Sequence, residues 1–103
     1  MLLKQKIKSY FGFAIKSNNV IFGGDSFVSS KKKSYLVVCS SDINRTIMKD
    51  IKQKCERYKI PLLMSDTETI EELTHKINCK CIAVCEPNLA AAIIKEQIGG
   101  FDE

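Results

Sequence analysis

At 103 residues the chain has the length of one ordinary domain, and its 45% hydrophobic and 27% charged residues exclude collagen-like and disordered classes. The formal net charge of +4 hides a division: thirteen Lys and Arg against four Asp and Glu lie up to Lys59, and three against eight follow. The first part therefore carries +9 and the second −5, an asymmetry that points to a polyanion partner more than to a small acidic substrate.

In chain order, Leu3, Ile7, Tyr10, Phe11, Ala14 and Ile15 recur at helical spacing, with Lys4, Lys6 and Lys8 between them. Asn18-Asn19 ends that helix, because Asn tolerates the left-handed conformation of a helix terminus. Val20-Ile21-Phe22 reads as a short buried strand stopped by Gly23-Gly24. Asp25 is then expected to cap a brief helix running into Ser29-Ser30-Lys31-Lys32-Lys33. Tyr35-Leu36-Val37-Val38-Cys39 is the clearest strand, apolar on both faces like a central parallel strand.

Asp42 is expected to cap a long helix with Ile47, Ile51, Cys55 and Tyr58 inward and Arg45, Lys49, Lys52 and Lys59 outward. Pro61 ends it, and Leu62-Leu63-Met64 forms a third strand. Ser65 and Glu68 have capping-box spacing for a helix to about His75. Cys81-Ile82-Ala83-Val84-Cys85 is a fourth strand, and Pro87-Asn88 opens a closing helix with Leu89, Ile93 and Ile94 inward. Helices alternating with short strands imply an α/β sandwich with helices on both faces of a four-stranded sheet, its functional loops at the strand ends.

Catalytic motifs are sparse. The single histidine, His75, sits beside Thr74 and Lys76 at a polar helix end and reads as a surface residue. Gly23-Gly24 lacks the Lys-Ser/Thr of a phosphate-binding loop, and no serine occupies a nucleophile elbow. Asp42 and Asp66 follow strands as phosphoryl-accepting carboxylates would, but helix capping accounts for them better. Cys39, Cys55, Cys79, Cys81 and Cys85 lack the paired spacing of a zinc site or a redox dithiol. They read as small buried hydrophobes in a reducing, cytoplasmic setting, and neither a signal peptide nor a membrane span is expected. No aromatic platform for stacking bases is apparent, so binding would rest on a shaped RNA met by backbone amides and lysines.

Gly12-Phe13-Ala14-Ile15-Lys16-Ser17, then Gly23-Gly24-Asp25-Ser26, then Leu36-Val37-Val38-Cys39-Ser40-Ser41-Asp42 follow one another along the chain. The order of these segments resembles the ribosomal L-seven-Ae family, most of all its small bacterial YlxQ-type members. Cys55-Glu56-Arg57-Tyr58-Lys59-Ile60-Pro61, Glu71-Glu72-Leu73 and Ile82-Ala83-Val84 continue the likeness, which covers about residues 6–96 of a single domain taken as 1–103.

The resemblance implies a three-layer α/β/α sandwich of the ribosomal L-thirty-e type, with a four-stranded mixed sheet. It also implies a non-enzymatic RNA-binding protein that stabilises kink-turn RNA, a bent duplex with sheared G·A pairs. Gly23, Gly24, Asp25 and Ser26 would enter the groove at the kink, with Asp25 and Ser26 at the guanine edges. In many members these two positions are Asn and Glu. Ile77, Asn78, Cys79 and Lys80 would cover an extruded base, while Lys16, Lys31, Lys32, Lys33 and Arg45 would contact phosphates.

The expected protein is a monomer without metal or cofactor, cytoplasmic and associated with ribosomal or regulatory RNA. Its acidic half, with Glu68, Glu71 and Glu72, would suit a basic protein partner. The alternative is a protein-interaction or small-ligand module of the same fold that does not bind RNA.

Overall fold

The computed structural model describes residues 5–99. Leu3 and Lys4 of the first helical pattern lie outside them. In chain order the elements are α1 (Gln5–Lys16), β1 (Val20–Phe22), α2 (Gly24–Ser29), β2 (Leu36–Ser40), α3 (Arg45–Tyr58), β3 (Leu62–Ser65), α4 (Thr67–Thr74), β4 (Cys81–Val84) and α5 (Pro87–Gly99). The sheet order is β1-β4-β2-β3. β4 runs antiparallel to both β1 and β2, whereas β2 and β3 are parallel. The sheet is therefore mixed, and the expected parallel neighbour of β2 exists on one side only.

The two sheet faces explain the doubly apolar reading of β2 and β4. Leu36, Val38, Ile82 and Val84 point into a core closed by Ile7, Phe11 and Ala14 of α1, Ile70 and Leu73 of α4, and Ala90 and Ile93 of α5. Val37, Cys39, Cys81 and Ala83 point the other way, against Phe27 of α2 and Ile51 and Cys55 of α3. Alternate side chains of one strand face opposite sides, so two layers of helices bury both. This is the three-layer α/β/α sandwich.

Helix starts differ from the sequence reading. Asp25 is not the cap of α2. The N–H of Gly23 still donates to the Cys81 carbonyl at 2.8 Å, and the chain turns at Gly23 with φ 92°, which makes Gly23 the N-cap. Asp25 falls in the first turn, where a carboxylate meets the positive end of the helix dipole. Asp42 does not cap α3 either, because the hydroxyls of Ser40 and Thr67 donate to its carboxylate. Asn44 takes that role, its side-chain oxygen accepting from Thr46 N–H at 2.8 Å. Ser65 stays in β3, so Asp66 caps α4 through the Thr69 N–H at 2.7 Å. Tyr58, expected inward, is 62% exposed at the C-terminal end of α3. β4 stops at Val84, leaving Cys85 half-buried against the Ser34 hydroxyl.

Candidate nucleic-acid interface

Strand register assigns each loop to one end of the sheet. Phe22 pairs with Ile82, Cys39 with Cys81 and Ser40 with Ser65, which groups the C-terminal ends of β1, β2 and β3 with the start of β4. The chain leaves this end at Gly23, Ser41 and Asp66 and arrives there through residues 75–80.

Gly23 and Gly24 have different jobs. At Gly23 the positive φ disfavours any side chain, although a Cβ would point into open space. At Gly24 a Cβ would lie 2.7 Å from Ile47 Cγ2 and 3.1 Å from Ile51 Cδ1. Gly24 thus permits α2 to press against α3 and is buried by that contact. The first backbone bond of α2 runs from Phe27 N–H to the Gly23 carbonyl at 3.0 Å, leaving the N–H groups of Gly24, Asp25 and Ser26 without an acceptor among the described residues. Asp25 and Ser26 are exposed beside them. The packing of Gly24 on Ile43 and Ile47 brings the first turn of α3, with exposed Arg45, alongside.

The loop before β4 is tightly folded. His75 and Asn78 adopt positive φ of 58° and 65°, and Asn78 N–H donates to the Glu71 carboxylate at 2.6 Å. Lys76 N–H donates to the Thr74 hydroxyl at 3.2 Å. Between these anchors Ile77 stands 86% exposed, while Cys79 is buried and donates its S–H to the Cys81 carbonyl. Cys79 is therefore a packing residue of the loop. Lys80 lies 3.8 Å from the Asp42 carboxylate. Lys76, which the sequence reading passed over, holds its ammonium 4.3 Å from the centre of the Phe22 ring. Its position next to Ile77-Asn78 was the available signal, but the partner Phe22 is visible only in the fold.

Gly23, Gly24, Asp25, Ser26, Arg45, Ile77, Asn78, Cys79 and Lys80 consequently share one end of the sheet. Lys16, Lys31, Lys32 and Lys33 do not join them. Lys32 donates to the Asn18 carbonyl at 3.1 Å, and Lys33 lies 5.3 Å from the Tyr35 ring, at the ends where β1 and β2 begin. The Gly23 end also holds carboxylates. The hydroxyls of Ser40 and Thr67 hold the Asp42 carboxyl below its ordinary value, and the Thr69 N–H does the same for Asp66.

Two other features fit less chemistry. A groove of about 890 Å³ lies between the far part of α2 and α3, lined by Val28, Ser30, Asp50, Lys54, Arg57 and Tyr58 among others. Its charges are mixed, and Lys54 is engaged in holding α2 through the Phe27 and Ser30 carbonyls. Cys39 and Cys81 face each other in the core, where a hydrogen bond between them lowers Cys39 and raises Cys81, and burial pushes Cys55 up to about 11. Among the described residues no group of three or more His, Cys, Asp or Glu side chains is placed to hold a metal ion.

Solved structures share this arrangement, among them the following two. A protein of unknown function from Bacillus halodurans superposes with a TM-score of 0.78 at 21% identity, over 89% of this chain and 96% of its own. A 15.5 kD RNA-binding protein of Giardia lamblia superposes with a TM-score of 0.69 at 12% identity, over 88% of this chain and 83% of its own. At such identities the likeness bears on the fold alone, the three-layer α/β/α sandwich with a four-stranded mixed sheet. No protein-family model and no curated protein sequence matches the chain. Among the described residues no helix is long and apolar enough to cross a membrane.

Proposed function

We propose that this protein is a non-enzymatic RNA-binding protein that stabilises a kink-turn-like bend, as ribosomal and regulatory RNA-binding proteins of the L-seven-Ae type do. One observation carries the reading. The 23–26 segment and the 76–80 loop, distant in sequence, are joined through the Gly23 N–H and the Cys81 carbonyl into one edge. That edge offers three unpartnered amides, an exposed isoleucine and the cations Lys76, Lys80 and Arg45. Amides at Gly24, Asp25 and Ser26 suit phosphate or base acceptors, and Ile77 suits the face of an unstacked base. Binding would select the bent RNA from its conformers, so that RNA folding and protein binding are coupled. The likeness to the Giardia RNA-binding protein is consistent with this reading.

The test is a salt-titrated binding assay with a kink-turn RNA and a continuous duplex of equal length. The kink-turn should bind more tightly by at least about tenfold, roughly 1.4 kcal/mol. Gly23→Glu, which adds a carboxylate to the edge, should weaken binding far more than Lys95→Glu at an exposed position of α5. Equal affinity for both RNAs, or equal effects of the two substitutions, would contradict the reading. The carboxylates of Asp25, Asp42, Asp66 and Glu71 at the same end favour one rival, a module that binds a basic protein or a small ligand. Absence of RNA binding even at low salt would select it.

A further inference from the structure

The lysines left out of the Gly23 edge form a surface of their own. Three loops enter the sheet at its opposite end: α1 into β1, α2 into β2 and α3 into β3. Val20 and Leu36 both pair with Val84, and Val37 pairs with Leu62, which aligns these three entrances. Lys16, Lys33 and Lys59 each precede one of the strands by three or four residues, and Lys31 and Lys32 lie in the middle loop. All five are exposed.

Their contacts leave their charge in place. Lys32 is held by a neutral carbonyl and Lys33 by a tyrosine ring. Among the described residues the ion pairs are Lys8–Glu72 and Lys80–Asp42, neither of which involves these five. Of the carboxylates at this end, Glu86 is occupied in accepting the Asn88 and Leu89 N–H groups at the start of α5. Glu56, on the last turn of α3 and three residues before Lys59, is the one further described carboxylate among these lysines. A bland account would make these lysines complements to the helix dipoles that end here. Each dipole supplies only about half a negative charge, within one turn of its helix. Lys31, Lys32 and Lys33 lie beyond α2, and three consecutive lysines exceed what a six-residue helix needs.

We propose that Lys16, Lys31, Lys32, Lys33 and Lys59 form a second RNA-binding surface, one that holds the phosphate backbone at the end of the sheet opposite the Gly23 edge. It rests on the RNA-binding reading and extends it. The five residues of β2 separate the two ends by roughly 16 Å at about 3.3 Å per residue. One RNA can therefore be read at the kink by amides and held along a flanking stem by lysines. The division of labour matches the charge distribution: the reading edge mixes cations with carboxylates, and the holding surface is basic.

The experiment compares wild type with K31Q/K32Q/K33Q and with K49Q/K52Q/K95Q, which removes the same charge from other exposed positions. Binding to a kink-turn RNA with a long stem, and to a plain RNA duplex, is measured from about 50 to 300 mM salt. Each lost phosphate contact should flatten the log–log salt dependence by about 0.7–0.9. The first variant should flatten it by about 2 and weaken both RNAs at least tenfold, leaving their affinity ratio within about twofold of wild type. The control variant should change the slope by less than about 0.5. Slopes that match between the two variants, or a first variant indistinguishable from wild type, overturn the second surface. The outcomes separate the two proposals. A wild type that binds both RNAs equally, with the lysine effect intact, defeats the kink-turn reading and upholds this surface. An intact kink-turn preference with no lysine effect does the reverse.

Discussion

Replacing Gly24 by alanine adds one methyl group where α2 meets α3, and the outcome follows from three distances. The new Cβ would stand 2.7 Å from Ile47 Cγ2, 3.1 Å from Ile51 Cδ1 and 3.3 Å from Ile43 Cδ1. The two Cδ1 atoms are at the ends of their side chains and can swing aside. Ile47 Cγ2 is bonded directly to Cβ, so it moves only if χ1 leaves its well or the helix shifts. Restoring an ordinary carbon–carbon separation needs about 1 Å of movement. Overpacking of this size typically costs about 1–3 kcal/mol. The smaller entropy of an unfolded alanine chain returns about 0.4–1 kcal/mol. A net loss of roughly 1–2 kcal/mol corresponds to a Tm lowered by about 4–16 °C for a domain of this size. Calorimetry or urea titration measures it, and Ile47→Ala serves as the second arm of a double-mutant cycle. In the Ile47→Ala background the Gly24→Ala penalty should nearly vanish, because the obstructing methyl is gone. The same penalty in both backgrounds, or a Tm within about 2 °C of wild type, would refute the packing argument.

Two further predictions concern charged groups. Lys54 donates to the Phe27 and Ser30 carbonyls at 2.5 and 2.9 Å and lies 4.6 Å from the centre of the Phe27 ring, so Lys54→Met should cost about 1.5–3 kcal/mol in urea unfolding. A change below about 0.5 kcal/mol would place Lys54 among ordinary surface lysines. Asp42 and Asp66 have lowered folded pKa values, from the hydroxyls of Ser40 and Thr67 and from the Thr69 N–H respectively. Their stabilisation is therefore present above about pH 4, the unfolded carboxylate value, and is lost as pH falls through the folded values. D42N/D66N should show a flatter loss of urea stability on acidification than wild type, and parallel curves would contradict this assignment.

The apolar strands were readable because burial on both faces leaves little choice of residue. Val20–Phe22 has the bounds read from its flanking Asn and Gly pairs, and β2 is displaced from its reading by a single residue. Helix starts were less readable, since Asp, Asn and Ser are interchangeable as caps and the tertiary fold selects among them. Asp42 would cap α3 if the Ser40 and Thr67 hydroxyls did not claim its carboxylate, and Thr67 comes from another strand–helix junction. The candidate edge divides in the same way. Segment order singled out Gly23–Ser26 and Ile77–Lys80, and both lie at one end of the sheet. Proximity of the basic residues in sequence said nothing of their proximity in space. Only seven residues separate Gly23 from Lys31, yet α2 carries the chain from one end of the sheet toward the other. Register between strands decides such placement, and register is a property of pairs of segments that no single segment displays.

The position of β4 has a consequence for the timing of assembly. Among the described residues it is the last of the four strands in the chain, yet it lies between β1 and β2, and edge strand β1 pairs with it alone. At about 5–20 residues per second, translation leaves β1 without a strand partner for several seconds. The pairing of β2 with β3 does not involve β4, so the β2–α3–β3 unit can pair first. The segment from Val20 to Ser26 must wait, because the Gly23 N–H has its acceptor on Cys81. The edge proposed to read RNA is thus completed by the strand that closes the sheet, so a nascent chain acquires the two together.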